Sequence, residues 1–245
     1  MSETALRFER VGKAYAGVAA LLDFSLAVPR GEFLALVGVN GAGKTTLLKC
    51  LLDFCDADQG SIEIFGTPHT ETAARARVAY LPERFNPPYY LTGRDFLLYM
   101  LGLYGAAYQE ERVVQTFQAL DLDPVALTRP ARAYSKGMTQ KLGLAACLLS
   151  GKELYILDEP AGGLDPKARA LFKHELRALR GGGNTVFFTS HSLADVAELA
   201  DRMAVLHGGR LLFAGTPAQL VERCGGPDLE RAFLNCIAVP PGALS

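Results

Sequence analysis

The sequence predicts an α/β fold in which a mostly parallel core sheet is flanked by helices, with further sheet at the N-terminus and a helical block inserted in the chain. Three observations carry this. Short apolar runs separated by turn residues fill the first third; the apolar period changes to three- and four-residue steps after Thr92; and from Glu153 onward buried-type strands alternate with helical stretches. Strand–helix–strand alternation of this length needs crossover connections, and so a parallel sheet with helices on its faces.

Taken in order, strand-like runs occupy 5–11, 21–28, 33–37 and 61–65, with the Gln59-Gly60 turn before the last. A helical run opens at Thr46, and a further strand covers 78–81. Thr92-x-x-Asp95 forms a capping box ahead of Phe96, Leu97, Met100, Leu101 and Tyr104, which recur at helical steps. A second helix covers 110–120, and a third runs from near Met138 to Leu149, stopped by Ser150-Gly151. Strand 154–157, helix 167–180, strand 185–189, helix 192–200 and strand 203–206 follow. The expected organisation is one domain over 1–245. Its α/β core takes 1–84 and 151–216, a helical subdomain takes 85–150, and the tail 217–245 has short helices over 217–234 and a loose end at 239–245.

Composition excludes several classes. With 49% hydrophobic and 21% charged residues the chain is neither disordered nor disulfide-stapled. Its 25 Lys+Arg against 26 Asp+Glu leave no positive excess to drive phosphate-backbone binding, so nucleic acid is not expected as a partner. No apolar stretch approaches the roughly 18 residues of a membrane span. Glu3, Arg7, Glu9 and Arg10 at the start, without an apolar run, argue against a secretory signal. Five cysteines, an odd count without a C-x-x-C pair, read as reduced packing residues of a cytosolic protein.

Gly38-Val39-Asn40-Gly41-Ala42-Gly43-Lys44-Thr45 fits G-x-x-x-x-G-K-[ST], between an apolar strand and the helix opening at Thr46. Glycines let successive N–H groups and the helix N-terminus point at phosphate oxygens. Lys44 would reach the β- and γ-phosphates and Thr45 would ligate Mg²⁺; a plain Gly-rich turn before a core helix is the simpler alternative. Strand 154–157 ends in Asp158 and Glu159, whose side chains point to opposite sides, so one can hold metal through water while the other polarises an attacking water. An acidic strand end with no catalytic task would look the same. Ser135, ahead of Gly137 and the third helix, reads first as an N-cap.

With these motifs in this order, the chain resembles the nucleotide-binding subunit of ATP-binding-cassette (ABC) transporters over nearly its whole length. The resemblance implies a P-loop NTPase fold of the ABC ATPase type, with an antiparallel N-terminal β subdomain, and an ATP-binding, ATP-hydrolysing activity. It matches residues 38–45 to Walker A, with Thr46 beside it, and 154–159 to Walker B with Glu159 as catalytic glutamate. Tyr134-Ser135-Lys136-Gly137-Met138 matches the signature loop, Asp165 the aspartate loop, His191 the switch histidine and Tyr15 the aromatic that stacks on adenine. Asp158, Thr45 and Glu83 become the Mg²⁺ ligands.

Three departures from the family pattern involve four positions. Glu83 stands where glutamine is usual, Lys136 and Met138 replace a glycine and a glutamine of the signature, and Gly162 replaces a serine of the aspartate loop. The resemblance implies a head-to-tail dimer with ATP between Walker A of one copy and Ser135 and Gly137 of the other. It also implies a separate membrane permease subunit, which places the chain in the cytoplasm, peripheral on the inner face of the membrane. The segment 85–90 with Phe96, Tyr99 and Tyr104 is a candidate dock, the Pro-flanked tyrosines more than Phe96, and the signature leans toward exporters. A soluble cassette ATPase uncoupled from transport is the alternative. A GTPase or small-molecule kinase would share Walker A alone, and the N-K-x-D motif that reads guanine is absent.

Overall fold

The computed structural model describes residues 3–238; the expected loose end at 239–245 lies outside the described residues. Up to Arg77 the chain forms β1 (Thr4–Tyr15), β2 (Val18–Pro29), β3 (Phe33–Val37), α1 (Lys44–Leu51), β4 (Gln59–Ile64), β5 (Thr67–Pro68) and α2 (Thr72–Arg75). Next come β6 (Val78–Leu81), α3 (Gly93–Tyr104), α4 (Glu110–Ala119), α5 (Lys136–Leu149), β7 (Leu154–Leu157) and α6 (Pro166–Gly181), with 3₁₀ turns at Pro124–Thr128 and Ala131–Ala133. The last stretch holds β8 (Thr185–Thr189), α7 (Leu193–Leu199), β9 (Arg202–His207), β10 (Arg210–Gly215), α8 (Pro217–Cys224) and α9 (Leu229–Ala238). These elements fall into two compact units, one built from the residues up to Arg77 and those from Thr185, the other from Val78–Asn184.

In the first unit β2, β1, β4 and β5 form an antiparallel sheet in that order. Leu6 and Phe8 alternate with the exposed Arg7 and Glu9, as a half-buried sheet requires, and a register shift between Phe8 and Val11 breaks the alternation so that Val11 is buried too. Phe8 meets Phe24 edge-on at 5.5 Å and lies 6.1 Å from Phe187 of β8, which seats this sheet on the parallel strands of the same unit. Among those, β3 runs parallel to both β8 and β9. All five residues of β3 are buried, which is why its sequence is uninterruptedly apolar rather than alternating. β10 returns antiparallel on β9, and α8 and α9 pack against it.

The second unit is organised on the parallel pair β6 and β7, in register from Val78 with Leu154 to Leu81 with Leu157. α5 packs on β6. Gly143 makes that approach possible, because a Cβ there would stand 2.7 Å from Leu81 Cδ1 and 2.9 Å from Phe85 Cδ1. The expected capping box is formed: Thr92 Oγ1 accepts the Asp95 N–H at 3.2 Å and Asp95 Oδ2 accepts the Thr92 N–H at 3.3 Å. Phe96 is buried against Phe85, whereas Tyr89 and Tyr90 are 67% and 65% exposed.

Candidate functional site

In the first unit, β3 delivers the chain into the loop 38–43, and α1 begins at Lys44. Two glycines are dictated by space, and Gly43 by conformation as well. A Cβ on Gly38 would lie 2.4 Å from the Leu206 carbonyl oxygen, and one on Gly43 2.5 Å from that of Ala20, at a φ of +113°. The loop is braced by Ala42 N–H to the Val39 carbonyl at 3.1 Å and by Gly209 N–H to the Ala42 carbonyl at 3.0 Å. Gly43 is the N-cap of α1 and supplies no side-chain hydrogen bond, so the first N–H groups of the helix are left to an outside acceptor. Lys44 folds back over the loop, its Nζ donating to the carbonyl oxygens of Gly38 at 2.6 Å and Val39 at 3.3 Å.

Another predicted residue of this unit, His191, lies at the same edge, and Tyr15 borders Thr46 of α1. Leu36 of β3 is in register with Thr189 of β8, and the Ser190 N–H donates to the Leu36 carbonyl at 3.4 Å. Gly38 and His191 therefore stand two residues beyond a paired parallel couple, at the carboxyl edge where open α/β sheets bind ligands. His191 is exposed and precedes the α7 N-cap Ser192, whose hydroxyl accepts the Asp195 N–H. Tyr15, at the end of β1, is 46% exposed. Its hydroxyl lies 3.5 Å from Cys55 Sγ and borders Thr46; the contact with Cys55, and then burial, push its phenol up.

The second unit repeats the arrangement with carboxylates. Glu83 and Glu159 each stand two residues beyond the Leu81–Leu157 pair, and the Asp158 N–H donates to the Leu81 carbonyl at 2.9 Å. Asp158 is 6% exposed. It faces Tyr80, whose phenol is pushed up to about 12 by burial and by the Asp158 charge. Glu159 has φ +48°, a conformation uncommon for a side-chain-bearing residue and concentrated at functional sites.

The same unit joins the signature segment to the aspartate loop. Gln140 of α5, buried, donates through Nε2 to the Pro160 carbonyl at 3.2 Å, and Gly137 lies beside the Gly163 carbonyl. Ser135 caps α5 by accepting the Met138 N–H at 3.2 Å, which leaves its own hydroxyl proton to donate elsewhere. Asp165 caps α6, accepting the Ala168 N–H at 2.9 Å. Sequence reasoning missed Gln140 and Gly143, because both act through neighbours more than ten residues away in the chain.

A strand, a glycine-rich loop, a helix without a side-chain cap and a lysine folded over the loop define a phosphate-binding domain of the P-loop class. Residues 21–162 match the ABC transporter family (ABC_tran), and the chain belongs to that family. It is 40% identical over 215 residues to an uncharacterized ABC transporter ATP-binding protein of Synechocystis sp., covering 86% of this chain and 61% of that protein. It is 35% identical over 237 residues to the daunorubicin resistance ATP-binding protein DrrA3 of Streptomyces coeruleorubidus, covering 94% of this chain and 74% of that one. A solved structure described as the ATP binding subunit of an ABC transporter superposes with a TM-score of 0.89 at 29% identity, covering 95% of this chain and 99% of that one. The fold is therefore that of the ABC ATPase domain.

Proposed function

We propose that this chain binds ATP on the loop 38–46, hydrolyses it, and so powers substrate movement by a separate membrane subunit, in the direction of export. The observation that carries the reading is the Lys44 ammonium, held on the Gly38 and Val39 carbonyls at the open start of α1. A polyphosphate offers that ammonium and those amides stronger, charge-assisted partners than carbonyls. Tyr15 supplies a flat, half-exposed surface for the base, next to Thr46.

Glu159 is the base that orients and polarises the attacking water, and its unusual backbone conformation is consistent with a side chain aimed for a task. His191 is the residue that reports on the γ-phosphate. Hard oxygen donors suit Mg²⁺, and Thr45, Asp158 and Glu83 are the proposed ligands. Mg²⁺ keeps several waters and takes few protein ligands beside substrate phosphates, which a hydroxyl and one or two carboxylates suit. When bound, Mg²⁺ neutralises charge developing on the β- and γ-phosphate oxygens.

The second half of the site comes from another copy, head to tail. Ser135 keeps a hydroxyl proton for that copy's nucleotide, Gly137 gives close backbone access, and Asp165 lies on the segment to which Gln140 ties α5. No helix among the described residues is long and apolar enough to cross a membrane. Similarity to ABC transporter ATP-binding proteins supports assigning the transport path to a partner and this chain to the cytoplasmic face. Exposed Tyr89, Tyr90, Tyr99 and Leu103 offer that partner an aromatic-rich dock. Similarity to a drug-resistance protein supports export. The test is phosphate release by the purified chain with its membrane subunit, with Mg²⁺ or with chelator, on ATP and on GTP. Mg²⁺-dependent turnover that favours ATP is expected; turnover of neither nucleotide would refute the reading.

A further inference from the structure

Two thiols stand in contact beside Tyr15. Cys50 is buried in the last turn of α1, Cys55 is half-buried in the turn that follows, and their sulfurs are 3.7 Å apart. Cys55 Sγ also lies 3.5 Å from the Tyr15 hydroxyl. The segment bearing Cys55 is stapled to the end of β1 that carries Tyr15. Asp58 accepts both the Ala14 N–H and the Lys13 ammonium at 2.7 Å, and its own N–H donates to the Gly12 carbonyl at 2.8 Å. A displacement of Cys55 is therefore felt at Tyr15 from two sides, through the sulfur and through the backbone.

We propose that Cys50 and Cys55 are a reversible disulfide site whose closure weakens ATP binding by drawing Cys55 away from Tyr15. The effect on ATP rests on the proposed role of Tyr15 as base platform; the site itself rests on the two sulfurs. A disulfide brings sulfurs to about 2.05 Å. The needed approach falls on the Cys55 side chain and on the turn at Asp53, which already sits at φ +60°.

The chemistry is thiol–disulfide exchange with a small-molecule disulfide as oxidant. The more accessible Cys55, as thiolate, attacks one sulfur of that disulfide and expels a small thiolate. Cys50, whose thiol burial pushes up to about 12, gives its proton to the expelled thiolate and attacks Cys55 Sγ, releasing the second small thiol. Two protein thiols lose two protons and two electrons, and one disulfide is reduced to two thiols. The Tyr15 hydroxyl then loses its sulfur neighbour, and a ring that is nearly half exposed stacks less well on a base.

The test treats the full chain with oxidised glutathione. Peptide mass mapping then looks for a Cys50–Cys55 link that lowers the mass by two hydrogens, and a fluorescent ATP analogue reports affinity with and without dithiothreitol. The expected result is that link in the wild type, its absence in Cys50→Ala, and an ATP affinity lowered about fivefold or more and restored by reduction, within the range a base stack supplies. Glutathione adducts alone, or a link confined to Cys224 and Cys236, would overturn the site. A Cys50–Cys55 link with unchanged affinity, in a protein whose Tyr15→Ala variant does bind more weakly, would overturn the regulation. Unchanged affinity in Tyr15→Ala would instead remove the base-platform reading and the regulatory effect with it, while the mapped link would still decide the site.

Discussion

The Asp158 N–H donates to the Leu81 carbonyl at 2.9 Å, one step past the register pair Leu81–Leu157, and this bond puts Glu83 and Glu159 at one strand edge. Glu159 turns away there at φ +48°, while Asp158 stays buried. Asp158 and Glu159 thus have different surroundings, which suits the different work proposed for them. Glu159→Gln is expected to lower ATP turnover by about a hundredfold or more, the usual scale for a general base, and to leave ATP affinity unchanged. Phosphate release and equilibrium binding on the same preparation separate the two effects.

Tyr15→Ala should weaken ATP binding by about five- to a hundredfold, the span of a base–aromatic stack. Tyr15→Phe keeps the ring but loses the hydroxyl's contacts with Cys55 and Thr46, so its affinity should fall between those of the wild type and Tyr15→Ala. Fluorescence titration with an ATP analogue measures both.

Ser135 caps α5 through the Met138 N–H and is proposed to meet a phosphate with its remaining proton. Aspartate caps a helix as well as serine does but brings a negative charge. Ser135→Asp should therefore leave thermal stability unchanged and abolish ATP-driven dimerisation, read by size-exclusion chromatography with multi-angle light scattering. Dimerisation at wild-type levels would remove Ser135 from the nucleotide interface.

Much of this was readable because it is local. The apolar run of β3, the glycines and lysine after it, the Thr92–Asp95 box and the Ser135 cap are each set by residues within a few positions of one another, and each forms as expected. β10 was not anticipated. Its exposed and half-buried residues give only a short apolar signal, and its pairing with β9 depends on the Gly208-Gly209 turn. Nor did spacing announce that Gly143 admits β6 or that Cys50 and Cys55 touch, for those facts depend on how a helix sits or a turn closes.

Alkaline stability follows from the buried phenols. Burial pushes Tyr80 and Tyr134 up to about 12, above the value near 10 of an unfolded tyrosine. Between those values the folded chain holds protons that the unfolded chain has released, so the stabilisation is complete below pH about 10 and is lost as pH rises toward 12. The tyrosinate signals of Tyr80 and Tyr134, assigned by single Tyr→Phe variants, should rise together with the change in circular dichroism over that window; either phenol titrating near 10 in a folded chain would contradict it.

The most direct test of the central claim is the affinity of Lys44→Ala for ATP, measured by isothermal titration calorimetry beside the wild type. Loss of a charge-assisted donor, worth about 1.5–3 kcal/mol, predicts an affinity lower by about tenfold or more. An ATP affinity equal to that of the wild type would contradict the assignment of the loop 38–46 as the nucleotide site.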